Sequence, residues 1–126
     1  MQTSQKQQQA IEELCGASIR ALTGLSDLRH RGKTLFLGGH RIGLGAPHLQ
    51  TNPLEDDFRS YRGASDGIAL RLKFSDQRLH RSLCPELPVP RLIFELLEQL
   101  RVESLVGDCY PGIKSNLLYR FQKWSL

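Results

Sequence analysis

The chain has 126 residues, of which 40% are hydrophobic and 24% charged, the composition of a soluble globular protein that buries one modest core. No apolar run approaches the roughly 20 residues of a membrane-spanning helix, and the N-terminal MQTSQKQQQAIEEL lacks the apolar centre of a secretory signal, so a cytoplasmic protein is expected. The net charge of +4 is unevenly spread. Arg29, His30, Arg31, Lys33, His40 and Arg41 fall in a stretch with no acidic residue between Asp27 and Glu55, a basic patch suited to an acidic protein surface or to nucleic acid.

In chain order, residues 4–22 predict a helix, with Ile11, Leu14, Cys15, Ala17, Ile19 and Leu22 as its stripe and Gly24 as its stop. The segment 27–44 changes period: TLFL and HRIGL flank Gly38-Gly39, which predicts a tight β-hairpin. A two-stranded hairpin is marginal alone and must pack on the helices. Pro47 and Pro53 mark a linker. A second helix is expected from Glu55 to Phe74, with Phe58, Tyr61, Ser65, Ile68, Ala69 and Leu72 on one face and Glu55, Asp56 and Asp57 in its first turn. Gly63 and Gly67 each cost about 1 kcal/mol in a helix interior, which is best explained by close approach of another backbone.

Ser75 is the expected N-cap of a short helix, DQRLHRSL, ended by Cys84-Pro85. Pro88 and Pro90 then introduce the longest clear helical pattern, RLIFELLEQLRVESLV. Its predicted core stripe is Ile93, Leu96, Leu97 and Leu100, with Glu95, Glu98 and Gln99 facing away. Gly107 ends it, and Pro111 begins a last helix with Ile113, Leu117, Leu118, Phe121 and Trp124 as its apolar side. The fold class is therefore mainly α, four to five helices with one β-hairpin, in a single small domain: an N-terminal helix (1–24), a basic hairpin (27–44) and a helical core (55–124). The second helix should meet the 90–106 helix through Ile68, Leu72, Leu96, Leu97 and Leu100. The abrupt end after Ser125 suggests a piece of something longer.

Several chemistries are disfavoured. Gly32-Lys33-Thr34 ends like a phosphate-binding loop, but the required glycine five residues earlier is Asp27, and a strand rather than a helix should follow. Three cysteines without a CxxC pair argue against a disulfide framework or a standard zinc module. His80 and Cys84 could share a helix face, with Cys109 as a third ligand, but Pro85 breaks the helix there and no metal site is expected. Glu95 and Glu98 are one turn apart, yet no Glu-His pair at the spacing of a di-metal bundle accompanies them. Arg62, Asp66, His80, Glu95, Glu98, Arg101 and Glu103 are better taken as a structural polar network. There is no nucleophile elbow and no dinucleotide fingerprint, so no catalytic residue or cofactor is assigned and an enzymatic role for this chain stays open.

The stretches RGASDGIALRL (62–72), DQRLHRSLCP (76–85), FELLEQLRVESL (94–105) and GIKSNL (112–117) together resemble the CobT subunit of the aerobic, ATP-dependent cobaltochelatase and its relatives. The matching positions are Arg62-Gly63, Asp66, Ala69-Leu70, Asp76, His80, Leu83, Pro85, Phe94-Glu95, Glu98-Gln99 and Arg101-Val102-Glu103. Ser65 and Gly67, flanking Asp66, depart from the family pattern. The resemblance implies an N-terminal domain whose family continues into an acidic region and a von Willebrand factor A domain; the D-x-S-x-S stretch of that last domain is absent from this chain. It implies a component of a complex in which an AAA+ ATPase drives cobalt insertion on the route to cobalamin. The expected role is non-catalytic assembly, with an AAA+ ATPase partner, possible self-association and no membrane contact. Arg29, Arg31, Lys33 and Arg41 are the candidate partner surface. The alternative is a small basic nucleic-acid-binding domain, although Phe36 alone falls short of the interleaved aromatics of a single-strand binder.

Overall fold

A computed structural model describes residues 2–31, 34–43, 45–108 and 110–126. Their order is α1 (Gln2–Thr23), β1 (Leu28–Arg31), β2 (Thr34–Leu37), β3 (His40–Ile42), a 3-10 turn (Pro47–Leu49), α2 (Phe58–Phe74), α3 (Gln77–Leu83), α4 (Pro88–Glu103) and α5 (Pro111–Ser125). The fold is mainly helical with one small antiparallel sheet, in a single small domain. The expected hairpin is β2–β3, with Gly38 and Gly39 both at positive φ in the turn, a conformation glycine adopts without steric cost. The added strand β1 pairs with β2 and makes the sheet three-stranded. Thr34 starts a strand, so no helix N-terminus follows the GKT letters to hold a phosphate.

Helix boundaries follow the capping chemistry. The Asp57 side chain accepts from the Ser60 amide at 2.8 Å and starts α2 at Phe58, leaving Glu55 and Asp56 before the helix rather than in its first turn. Asp76, not Ser75, caps α3 by accepting from the Leu79 amide at 3.1 Å; Ser75 closes α2. The carboxylates accept orphan N–H groups that a hydroxyl would hold more weakly. Pro88 and Pro90 lie inside the first turn of α4.

Helix α2 is the centre of the molecule. On one side Ile68, Ala69 and Leu72 pack with Ile19 and Leu22 of α1 and with Leu28 and Leu35 of the sheet, an ordinary apolar core. On the other side Leu70 meets Val102, Val106 and Leu117 in a smaller cluster. The expectation of backbone approach holds at Gly63, where a Cβ would fall inside the van der Waals surface of the Asn116 carbonyl and Arg120 Cβ of α5. At Gly67 the crowding comes from side chains, with Leu49 Cδ2 at 2.7 Å from the position of a Cβ.

The predicted faces of α4 are inverted. Leu97 is 60% exposed, and Leu92, Ile93 and Leu100 also face outward, while Gln99 is fully buried and Glu95 nearly so. Leu96 is half-buried, and Val102 is the buried aliphatic residue. The packing of α2 on α4 therefore does not run through Leu97 and Leu100. Gly67 lets α4 come close, and Gln99 Nε2 donates to the Gly67 carbonyl at 2.8 Å; Glu95 faces the guanidinium of Arg71. A paired polar group is tolerated inside: Gln99 Nε2 and both Glu95 oxygens are paired, while Gln99 Oε1 and Arg71 Nε and Nη1 have no hydrogen-bond partner among the described residues. The same correction applies to Leu118, which is exposed, and to Phe58. In α5 the buried long side chain is Arg120, whose guanidinium donates to the carbonyls of His48 (2.6 Å) and Gln50 (2.7 Å), to Asp56 (2.7 Å) and to Ser60 (2.7 Å).

Candidate functional site

The candidate partner residues lie on the sheet. Register places Arg29, Phe36 and Arg41 in one cross-strand row. Alternation puts that row on the face opposite Leu28 and Leu35, which enter the core. Arg29 and Arg41 are exposed. Arg29 donates to the carbonyls of Ser26 and Leu28, which fixes its guanidinium close to the sheet edge. Lys33 and the Arg31 side chain lie outside the described residues. His30 points to the core side; burial pushes its imidazole below the ordinary value.

The seven residues of the expected polar network separate into four groups. Arg62 lies 3.9 Å from Asp66, and the second Asp66 oxygen accepts from Asn116 at 3.0 Å. Burial raises the Asp66 carboxyl despite that hydrogen bond and the Arg62 charge. Glu98 accepts from Arg101 at 2.6 Å and from Ser75 at 3.1 Å; the Arg101 hydrogen bond is the main reason its carboxyl sits below the usual range. Glu103 pairs with His48 at 2.9 Å. His80 meets Glu95 at 2.7 Å, and Arg71 donates to the other Glu95 oxygen at 3.2 Å. Glu95 and Glu98 thus have separate partners and do not converge on one point. Residues absent from the sequence-based network complete it: His48, Asp56, Arg71, Gln99, Asn116 and Arg120. Periodicity could not find them, since charged residues are rarely buried, but Gly63 marks the approach of Asn116 and Arg120, and Gly67 that of Gln99.

Around Glu95 the structure gathers more than an ion pair. Burial acts to raise its carboxyl, and the hydrogen bond and charge of His80 together with Arg71 outweigh it, holding the group below the ordinary glutamate value. Cys84, the C-terminal cap of α3, donates its thiol toward Glu95 Oε1 at 3.8 Å. His80, Cys84 and Glu95 offer ligand-type atoms all within 4.8 Å of one another. They line a cleft of about 630 Å³ shared with Arg41, Arg81 and Arg91. Cys109, the third ligand considered from sequence, lies outside the described residues.

A different surface runs over the outside of α4 and α5. Leu92, Ile93, Leu97 and Leu100 are exposed along α4, and Leu118 is exposed on α5. Between the two helices, Leu100, Val106, Pro111, Leu117, Leu118 and Phe121 line a groove of about 810 Å³. Exposed apolar side chains grouped in this way mark interaction surfaces more often than isolated ones do.

A family model for the cobalamin biosynthesis protein CobT matches residues 5–123. The chain belongs to that family. Its part is in cobalamin biosynthesis. The match extends past the motif-bearing stretches, 62–117, to include α1 and the sheet, so the basic strands belong to the family domain. No solved structure matches the chain. Among the described residues, no helix is long and apolar enough to cross a membrane.

Proposed function

We propose that this CobT-family domain is a non-catalytic assembly module of a cobaltochelatase, docking its subunit onto an AAA+ ATPase partner. The observation that carries the reading is the inverted α4: its polar side is spent on α2, and its leucines are left outward beside an apolar groove. Such a face supplies the desolvated centre of an interface. The Arg29–Phe36–Arg41 face of the sheet supplies charge, which steers encounter with an acidic partner and selects against wrong ones. The family's acidic region is a second target for the same face.

Co-purification with the AAA+ subunit tests both halves. Leu97→Asp combined with Leu100→Asp should abolish recovery of the partner, because two carboxylates would be desolvated at the centre of the interface. Arg29→Glu with Arg41→Glu should weaken recovery and flatten its salt dependence, the mark of a steering contribution. Equal recovery by wild type and the aspartate variant would remove α4 from the interface. Retention of nucleic acid by the wild type, falling steeply with salt and lost in the arginine variant, would instead replace the assembly reading with a nucleic-acid one.

A further inference from the structure

The cleft between β3, α3 and α4 holds a set of side chains that the assembly role does not use. His80 and Cys84 are four residues apart on one face of α3 and its cap, and Glu95 reaches them from α4. An imidazole, a thiol and a carboxylate are the donors of tetrahedral zinc-type sites, and three protein ligands with a fourth position open are the pattern of a reactive or exchangeable one. We propose that His80, Cys84 and Glu95 bind a thiophilic first-row divalent cation, Zn²⁺ in class, with the fourth position facing the cleft.

Ligand bonds of about 2.0–2.3 Å at tetrahedral angles need an N···O separation of about 3.3 Å and an S···O separation of about 3.5 Å. The structure has His80 Nε2 at 2.7 Å from Glu95 Oε1 and Cys84 Sγ at 3.8 Å from it. The ligand atoms of His80 and Cys84 lie within 4.8 Å of each other, against about 3.6 Å at a tetrahedral ion, so side-chain rotation must also draw this pair together. The cation takes the place of the hydrogen now lying between His80 and Glu95, which moves to Nδ1 if the ring is neutral and leaves to solvent if the ring is charged. The Cys84 thiol gives up its proton to solvent through the cleft, and His80 binds as the neutral ring with its hydrogen on Nδ1. That Nδ1 is buried and has no hydrogen-bond partner among the described residues, so the outer hydrogen bond that usually orients a metal-bound imidazole would have to come from water. Arg71 occupies only the outer oxygen of Glu95, where it orients the carboxylate as outer partners of metal ligands do. Thiolate and carboxylate carry two negative charges against the one positive charge of Arg71 in contact with Glu95; Arg41, Arg81 and Arg91 also line the cleft, so the attraction for a dication rests on the ligand atoms themselves.

Anaerobic titration of the 126-residue chain with Co²⁺ alone, followed by absorption, tests this directly. One equivalent should give a thiolate-to-cobalt charge-transfer band that Zn²⁺ displaces. Cys84→Ser, and Cys84→Ala as the variant without a hydroxyl, should lose the band and weaken binding by more than the roughly 10–100-fold expected for an outer-shell change. Cys15→Ser and Cys109→Ser should keep both. Zn²⁺ should raise the unfolding midpoint of the wild type and leave that of the Cys84 variants unchanged. A folded wild type that gives no band, or a band that survives in both Cys84 variants or is lost in Cys15→Ser or Cys109→Ser, would overturn the proposal.

Discussion

The two sides of α2 are held by different physics. Toward α1 and the sheet the contact is aliphatic: Ile19, Leu28, Leu35 and Ala69 with a surround of leucines and isoleucines. Toward α4 and α5 it is largely polar: Arg71 on Glu95, Gln99 on the Gly67 carbonyl, Asn116 on Asp66, and Arg120 joining Asp56, Ser60 and two loop carbonyls. An apolar contact is non-directional and tolerates repacking. A buried polar network tolerates little, because each lost partner leaves a desolvated group behind. The polar side fixes where α4 and α5 sit and frees their apolar residues to face outward.

The largest effect should come from removing the hub of the polar side. Arg120→Ala removes the cation paired with Asp56 and its hydrogen bonds to two carbonyls and should cost about 3–5 kcal/mol in urea denaturation, as the breaking of a buried pair does. Arg120→Met, which keeps the volume, should fail to restore it. On the apolar side Ile19→Ala should cost about 2–5 kcal/mol and the gentler Ile19→Val only about 0.5–1.5 kcal/mol. A conservative swap that rescued Arg120 as Val does Ile19 would erase the distinction between the two sides.

Much of this was legible in the sequence. The helices were signalled by Gly24, by Pro88 and Pro90, by Gly107 and Pro111, and the turn by Gly38-Gly39. Gly63 announced the close approach of another backbone, which α5 makes. The orientation of α4 was not legible, for a physical reason. Ile93, Leu96, Leu97 and Leu100 make a regular apolar stripe, and periodicity states that a helix has two faces without stating which is inward. That choice is made by partners distant in sequence: Gly67, which lets α4 approach, and Arg71, which needs a carboxylate opposite. The charged sheet row was partly legible, since the basic run was plain but the register joining Arg29, Phe36 and Arg41 depends on the unforeseen strand β1. The cleft was half legible, because His80 and Cys84 share a helical spacing while Glu95 joins them only in three dimensions.

Acid should separate the two sides as well, by a smaller margin. The Glu95 carboxyl is held below its ordinary value in the folded protein, so its contribution is present above the unfolded value of about 4.3 and is lost as pH falls through the lower folded one. Asp66, raised by burial, acts with the opposite sign: its protonated form suits the interior, and its penalty grows as pH rises through the folded value. Thermal melts taken down through the carboxylate range should show that Glu95→Gln lessens the acid loss of stability and that Asp66→Asn removes the opposing gain. Unchanged profiles in both variants would mean that neither carboxyl is coupled to folding.

The most direct test of the inverted helix is a pair of neighbouring variants on α4, Leu97→Ser and Gln99→Ala, compared by urea denaturation. An outward Leu97 predicts a change within about 0.5 kcal/mol for the serine variant. A buried Gln99, hydrogen-bonded to the Gly67 carbonyl, predicts a loss of about 1–3 kcal/mol for the alanine variant. The reverse order, with Leu97→Ser costly and Gln99→Ala neutral, would put the leucine face inside and contradict both the fold and the docking face derived from it.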